Sequence, residues 1–468
     1  MSSQEIFRTA MDVQQTYIEK VREVLSARYA DPPRALVQTY GCQQNVSDSE
    51  RMKGLLQQMG YVFTDKVEEA DFILCNTCAV REHAEDRVYG NVGALKHHKR
   101  ARPDCIIALC GCMMQQQQVA DRIQKSYPHV DIVFGTHALH RLPELIWRRL
   151  TGGRVFDLDA ADERIVEGLP VKRDSAFRGW LPIMYGCNNF CTYCIVPYVR
   201  GRERSRTPAD VMAEAFQMVE AGYKDITLLG QNVNSYGKGE DHGVDFAKLL
   251  RMVNSIPGDF RIRFMTSHPK DCTPALLDAM ADCEKVCGHL HLPFQSGSDR
   301  ILKAMNRRYT RSDYLHLVGE ARRRMPDIAL TSDVIVGFPG ETYEDFKETL
   351  SLVEQVGFSS LFTFIYSPRE GTPAASLPDP VPHKEKVAWF DELLAAQEAI
   401  GRKNAEAVRG KTLLLLCEEE RRPGLLAGRA DNNRVVEFPG DTSLVGQFVR
   451  VTITEPGVSM HRGVLADT

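Results

Sequence analysis

The 468-residue chain has no stretch long and apolar enough to cross a bilayer, and its densest apolar run of this kind is only Leu413–Leu416. No secretory signal opens it. Residues 1–28 are polar, with Ile6, Val13, Ile18, Val21 and Leu25 spaced as on an amphipathic helix. An excess of charge of one sign is also missing. The formal net charge of −4 gives no general attraction for nucleic acid, so RNA contacts would have to come from local basic patches. Disulfides are not expected either, because thirteen cysteines are an odd number in a large chain without an export signal. That usage points to a reducing cytoplasm and to metal ligation. A hydrophobic content of 43% and a charged content of 26% are those of a globular protein, and the length predicts two to four domains.

What stands out is the stretch Tyr185–Cys194, which sets Cys187, Cys191 and Cys194 at Cys-x3-Cys-x2-Cys spacing after the apolar run Trp180–Met184. Three thiolates are one short of a closed zinc site, and neither flank supplies a fourth cysteine or a histidine within short reach. A cubane iron–sulfur cluster can use three cysteines and leave its fourth iron open. The spacing, with Tyr193 before the third cysteine, resembles the signature of the radical S-adenosylmethionine superfamily. That resemblance implies an open iron chelated by S-adenosylmethionine, with the cofactor carrying the hard chemistry.

From Arg34 to about Leu150 strand-like and helix-like segments alternate, which predicts a doubly wound parallel sheet. Candidate strands are 35–40, 72–75, 105–110 and 131–134; candidate helices lie around 46–59, 82–98, 114–126 and 138–150. Ligands of such sheets sit at the carboxyl ends of the strands. Cys42, Cys78 and Cys112 follow the first three strands, so a second set of three thiolates converges there. Cys75 and Cys110 fall inside their strands, where cysteine is commonly a small buried hydrophobe.

Residues 151–172 read as a linker, with Gly152-Gly153 and the acidic stretch 157–163. Six further βα units, with strands at 180–185, 225–229, 261–266, 289–294, 329–336 and 360–366, are too few for an eight-fold barrel and predict an open, partial one. Its strand ends carry Gln231, Asn232, Ser267, His268, Gln295, Ser296 and Asp333, with Gly337-Phe-Pro-Gly340 after the fifth. Together these describe one polar pocket. Cys283 and Cys287, with Cys272 nearby, fall toward the opposite edge and read as structural. A helix over 383–405 leads into five short strands of a small β-barrel over 406–468, which has eight basic and nine acidic residues and therefore no strong field of its own. The clearest basic patch is Arg200, Arg202, Arg204 and Arg206, placed to rim the cavity beside the second triad and contact RNA. Others are Lys99-Arg100-Ala-Arg102, Arg307-Arg308 and Arg322-Arg323-Arg324.

With both triads placed, residues 34–466 resemble the methylthiotransferases of the radical S-adenosylmethionine superfamily, and within them the branch acting on isopentenylated adenosine of tRNA. The strings that carry it are Tyr40-Gly-Cys-Gln-Gln-Asn, Asn76-Thr-Cys-Ala-Val-Arg-Glu, Gly111-Cys-Met, Tyr198-Val-Arg-Gly, His291-Leu-Pro-Phe-Gln-Ser-Gly-Ser-Asp and Tyr366-Ser-Pro-Arg-Glu-Gly-Thr-Pro-Ala-Ala. Gln44 departs from the methionine usual in that branch. The resemblance implies a methylthiotransferase domain over 34–150, a radical domain over 173–405 and a TRAM domain over 406–468; the helical extension over 1–33 falls outside it. It implies an auxiliary [4Fe–4S] cluster on Cys42, Cys78 and Cys112, and a radical-generating one on Cys187, Cys191 and Cys194. Tyr193, Gln231, Asn232, Gln295, Ser296 and Asp333 would hold S-adenosylmethionine, used twice per turnover. The reaction implied is methylthio transfer to C2 of the modified adenosine at tRNA position 37, in a monomer served by a flavodoxin- or ferredoxin-like electron donor and by a sulfur or cluster donor. C2 of adenine is neither acidic nor nucleophilic, which is why a radical route suits it. The rivals are siblings acting on a ribosomal-protein aspartate or on threonylcarbamoyl-adenosine and, from another class, a non-catalytic iron–sulfur or zinc RNA-binding protein.

Overall fold

A computed structural model describes residues 3–79, 82–159 and 164–466; side chains are described from residue 11 onward, apart from those of 82–84 and 86. The side chain of Ile6 in the amphipathic pattern, Val80 and Arg81 of one quoted string, and residues 160–163 of the acidic stretch fall outside the description. The chain divides into two compact units. One holds residues 1–174, 185–188 and 194–204, and the other holds 175–184, 189–193 and 205–468.

The first unit is a six-stranded sheet. Its strands are β1 (Arg34–Thr39), β2 (Val62–Phe63), β3 (Phe72–Thr77), β4 (Ile106–Gly111), β5 (Ile132–Phe134) and β6 (Val155–Asp157), all parallel in the order β2-β1-β3-β4-β5-β6. Every side chain of β3 and β4 is buried, as expected of parallel strands covered on both faces. Alternation sends Phe72, Leu74 and Cys110 into one core and Ile73, Cys75 and Leu109 into the other. Helices α1 (Ser3–Arg28), α2 (Gln43–Gln58) and α5 (Leu142–Thr151) supply the first core, and α3 (Glu82–Ala101) and α4 (Gln117–Ser126) the second. Ile18, Val21 and Leu25 of α1 are buried there, whereas Val13, expected on the same face, is exposed. The stretch expected as a linker is corrected at its start, because β6 completes the sheet. Later in that stretch, Pro170 lies directly against Gly54 of α2. A five-residue helix, α6 (Val196–Arg200), also folds with this unit.

The second unit opens with β7 (Arg178–Pro182), shorter at its end than the expected 180–185. With β8 (Asp225–Leu229) and β9 (Arg261–Phe264) it forms one parallel arc; β10 (His289–His291), β11 (Ala329–Val336) and β12 (Ser360–Ile365) form a second. A single bridge, Ile262 to Val286, connects the arcs into the open barrel. The intervening helices α7 (Pro208–Glu220), α8 (Phe246–Asn254), α9 (Pro274–Asp282), α10 (Asp299–Ala304), α11 (Arg311–Arg324) and α12 (Tyr343–Val356) enclose a large apolar core. Thr310 with Asp313 and Thr342 with Asp345 form capping boxes at the starts of α11 and α12. Helix α13 (His383–Glu406) leads into five strands, β13 (Thr412–Arg422), β14 (Leu425–Ala430), β15 (Val435–Pro439), β16 (Phe448–Glu455) and β17 (His461–Leu465), which close into a barrel.

That barrel is docked by two buried arginines of β9, Arg261 and Arg263, which pair with Asp225 at the start of β8. Asp225 accepts from Arg261 Nε at 2.6 Å and from Arg263 Nε at 2.9 Å. Arg261 Nη1 reaches the barrel carbonyl of Arg429 (2.8 Å), and Arg263 Nη2 and Nη1 reach those of Ala430 (2.6 Å) and Asp431 (2.7 Å).

Candidate iron–sulfur and S-adenosylmethionine sites

The sheet order of the first unit reverses between β1 and β3, since β2 lies on one side of β1 and β3 on the other. Reversal of this kind opens a crevice at the strand ends. Cys42 immediately precedes α2, Cys78 follows β3 by one residue and Cys112 follows β4 by one residue. Two glycines allow the loops to close on one another. At Gly41 (φ +128°) a Cβ would stand 3.0 Å from Cys78 Sγ, and at Gly111 (φ +96°) one would stand 2.3 Å from the Thr77 carbonyl oxygen. Asn45 clamps the same loops, donating to Asn76 Oδ1 and to the Thr77 carbonyl, both at 3.0 Å, while its own Oδ1 is 3.4 Å from Cys42 Sγ. Asn45 closes the string Tyr40-Gly-Cys-Gln-Gln-Asn, but the sequence assigns it no role; its place three residues after Cys42, one helical turn on, was the available signal.

None of the thirteen cysteines is in a disulfide. Cys42 is exposed; Cys78 and Cys112 are buried. Burial pushes the Cys112 thiol up to about 12, against the pull of Arg200 and with the fields of Cys78 and Cys42 adding to it. Among the described residues no three His, Cys, Asp or Glu side chains gather around a single metal-ion position. A cubane, in which each thiolate binds a different iron, asks for a wider cradle. Three thiols outside any disulfide, on loops held together by glycine contacts and an asparagine clamp, fit that group.

The loop of the second triad is held by the turn after α10. Asn306, itself left-handed at φ +59°, donates to the carbonyls of Asn189 (3.2 Å) and Phe190 (3.0 Å). Thr192 adds its amide to the Met305 carbonyl at 3.1 Å and its hydroxyl to the Ala304 carbonyl at 2.9 Å. Arg307, buried beside them, donates to Cys191 Sγ and to Tyr193 Oη, both at 3.5 Å. It also reaches the Pro293 carbonyl at 2.6 Å and Tyr309 Oη at 3.0 Å. Tyr193 packs against Ile301, Met305, Phe338 and Ala374. In the first unit, Cys187 N donates to the Gly201 carbonyl at 3.3 Å.

The polar strand ends of the second unit carry the signature of a missing polar ligand. Gln231 Oε1, Asn232 Oδ1, Ser267 Oγ, His268 Nε2 and Gln295 Oε1 are buried without a hydrogen-bond partner. Buried polar atoms are otherwise almost always paired, because leaving one dry costs about 1–3 kcal/mol. His268 Nδ1 accepts from the Lys270 amide, which places the ring proton on Nε2, and burial pushes its pKa far down with Arg307 adding to the effect. Thr266 (φ +69°) and Gln295 (φ +67°) are left-handed without being glycine, a strain that clusters at ligand sites. An amino acid carboxylate, an ammonium and ribose hydroxyls would satisfy this donor and acceptor set, so the residues fit S-adenosylmethionine. Ser296 departs from the expectation: its hydroxyl is occupied by Thr349 Oγ1 at 3.3 Å and by the Ser298 amide at 3.3 Å. Asp333 is half-buried, 3.5 Å from His291 Nε2.

The four arginines expected as an RNA rim divide into two pairs. Arg202 is exposed and Arg204 half-buried, but Arg200 and Arg206 are buried. Arg206 Nη1 pairs with Glu214 and the Pro182 carbonyl, both at 2.7 Å, and Arg200 pairs with Asp48 at 2.9 Å. Those two are corrected from RNA contacts to internal supports, because their guanidinium groups are buried and paired with carboxylates inside the protein.

Residues 181–353 match the Radical SAM superfamily, residues 34–135 the Uncharacterized protein family UPF0004 and residues 406–456 the TRAM domain. The chain is 51% identical over 434 residues to the tRNA-2-methylthio-N(6)-dimethylallyladenosine synthase of Thermoanaerobacter sp. (strain X514), covering 92% of each. To the synthase of the same name from Acetivibrio thermocellus it is 49% identical over 446 residues, covering 94% of this chain and 93% of the other. Among solved structures it is similar to the radical S-adenosylmethionine methyltransferase TsrM from Kitasatospora setae, at a TM-score of 0.55 and 15% identity over 74% of each chain. That likeness shows a shared fold. Identity at about one residue in two, over nine-tenths of both chains, places the chain in the tRNA-2-methylthio-N(6)-dimethylallyladenosine synthase family of radical S-adenosylmethionine enzymes.

Proposed function

We propose that this chain adds a methylthio group to C2 of N6-isopentenyladenosine at position 37 of tRNA. The observation that carries the reading is the identity to the named synthases over nearly the whole of both chains. When bound, the two clusters and S-adenosylmethionine supply an electron relay, a hydrogen-abstracting radical, a methyl group and sulfur. The chain's own part is to hold, orient and exclude. Cys42, Cys78 and Cys112 ligate the auxiliary cluster, and Cys187, Cys191 and Cys194 the radical one. Gln231, Asn232 and Gln295 meet S-adenosylmethionine with their unpaired oxygens, Tyr193 walls one side, and Asp333 offers a carboxylate. Arg202 and Arg204 contact the anticodon loop, whose unpaired base can leave its stack to enter the site.

In this reading the protein works as a monomer in the cytoplasm and receives electrons from a flavodoxin- or ferredoxin-like donor and sulfur from a separate donor. No described helix is long and apolar enough to cross a membrane.

Mass spectrometry of tRNA from a deletion strain tests the reaction: accumulation of isopentenyladenosine lacking the methylthio group is expected. Unchanged tRNA, or loss of the group from threonylcarbamoyl-adenosine or a ribosomal-protein aspartate, would transfer the chain to a sibling activity. For RNA binding, charge reversal at Arg202 and Arg204 should weaken affinity and flatten its salt dependence, since fewer counterions are released. Truncation after Arg409 is a poorer probe, because it strips Arg261 and Arg263 of their barrel acceptors.

A further inference from the structure

We propose that Arg200 positions the auxiliary cluster and tunes its reduction potential through Cys112, with Asp48 setting how much of the guanidinium charge the cluster feels. The proposal rests on the reading that Cys42, Cys78 and Cys112 hold a four-iron cluster.

The geometry is specific. Arg200 is 5% exposed and donates Nε to Cys112 Sγ at 3.1 Å and Nη2 to Asp48 Oδ2 at 2.9 Å. Asp48 is itself fixed, because its other oxygen accepts from Gln44 Nε2 at 3.1 Å. Gln44, Asp48, Arg200 and Cys112 therefore form one buried chain of hydrogen bonds ending on a cluster sulfur. Cys112, Ala79, Ile195 and Val199 pack together as a small apolar group around its end, which keeps water from screening it.

Arg200 closes α6, the helix that begins two residues after Cys194. Thr136 Oγ1 donates to the Val199 carbonyl at 2.6 Å, and Arg204 Nη2 to the Arg200 carbonyl at 3.0 Å, so the helix end is held from both sides. The segment that leaves the third cysteine of the radical motif thus delivers a fixed cation to a ligand of the other cluster.

The electrostatic consequence has a definite sign. Reduction adds one negative charge to a cluster already bearing thiolates, so an adjacent guanidinium favours the reduced state and raises the potential. The carboxylate of Asp48 offsets part of that charge. A residue that only packed would not show opposite effects from its two members.

The test uses the full chain with Cys187, Cys191 and Cys194 all replaced by Ala, reconstituted anaerobically and titrated with dithionite while the reduced cluster is followed by electron paramagnetic resonance. About four irons per chain are expected; their absence would overturn the cluster assignment and not the tuning. In that background Arg200→Met should shift the midpoint downward and Asp48→Asn upward. Arg200→Lys, which keeps the charge and loses the fork, should lie near the parent in potential yet release iron faster to a chelator. Shifts in the same direction for Arg200→Met and Asp48→Asn, or none in either, overturn the proposal. If Arg200→Met retains no iron, Asp48→Asn decides alone: an upward shift upholds the tuning, and an unchanged or lower midpoint ends it.

Discussion

The first triad takes each cysteine from the carboxyl end of a different parallel strand or the helix start that follows it, whereas the second takes all three from one ten-residue stretch of chain. Convergence of the first depends on a folded sheet and on glycines that let the loops touch. Convergence of the second is short-range, and what it borrows from the fold is a template, the turn at Asn306 and Arg307. In each triad a buried arginine donates to a sulfur. Arg200 shares its charge with Asp48, but Arg307 meets only tyrosine hydroxyls, a carbonyl and Cys191, with no carboxylate among its described partners. An uncompensated buried cation is costly until an anion arrives. In the proposed assignment the radical site is therefore poised for net negative charge, whereas charge at the auxiliary site is already partly balanced.

The strongest way to break the comparison is to remove ligands one set at a time. Changing Cys187, Cys191 or Cys194 to Ala should abolish reductive cleavage of S-adenosylmethionine. The same change at Cys42, Cys78 or Cys112 should leave cleavage largely intact and stop methylthio transfer. Iron should fall from about eight to about four per chain in either set. A first-triad variant that keeps about four irons and cleaves nothing would erase the division of labour. Next in size, Arg307→Met removes a charge-assisted hydrogen bond worth about 1.5–3 kcal/mol, so single-turnover cleavage should slow by roughly tenfold to a hundredfold, with partial return in Arg307→Lys. An unchanged rate would show that the missing carboxylate has no consequence.

The two asparagine clamps sharpen the contrast further. Asn45→Ala leaves Asn76 Oδ1 without its Asn45 bond, but the sheet still holds both strand ends; a loss of about 2 kcal/mol is expected. Asn306→Ala removes two bonds from the second loop and also puts alanine at φ +59°, so about 3 kcal/mol should go. Thermal unfolding of the two apoproteins reads the difference, and a larger loss at Asn45 would reverse the view that the second loop needs the template more.

Much of this was legible in the sequence because it followed from period and position. The strand–helix alternation gave the parallel sheet and the open barrel, and Cys78 and Cys112 could be placed beyond their strands by counting. What stayed hidden depends on partners far along the chain. Arg200 and Arg206 look alike in a run of alternating arginines; Asp48, which buries the first, lies 152 residues away. Arg261 and Arg263 read as strand residues, and only the closed barrel supplies the carbonyls that hold them. β6 is three residues long, too short for a pattern to show. Ser296 sits at a strand end as expected, yet α12 had already taken its hydroxyl.

The smallest expected effect tests the reading of the remaining cysteines. Cys75 and Cys110 stand three and two residues before the proposed ligands Cys78 and Cys112, and spacing alone would make either a rival. Strand alternation decides against them: the Cys75 side chain lies in the core under α3 and α4, and that of Cys110 in the opposite core, 3.7 Å from Met52 Sδ. Burial pushes the Cys75 thiol up to about 12, with no cation to draw it down. Cys283 and Cys287 are likewise buried, the first at the end of α9 and the second before β10. Each Cys→Ala change leaves a cavity of about one sulfur atom, so roughly 1 kcal/mol of stability should be lost by denaturant titration. Iron and turnover should hold. The comparison turns on Cys75: if Cys75→Ala alone lost about four irons per chain, its sulfur would be a ligand, and the rule that ligands lie just past the strand ends would fail where it was first applied.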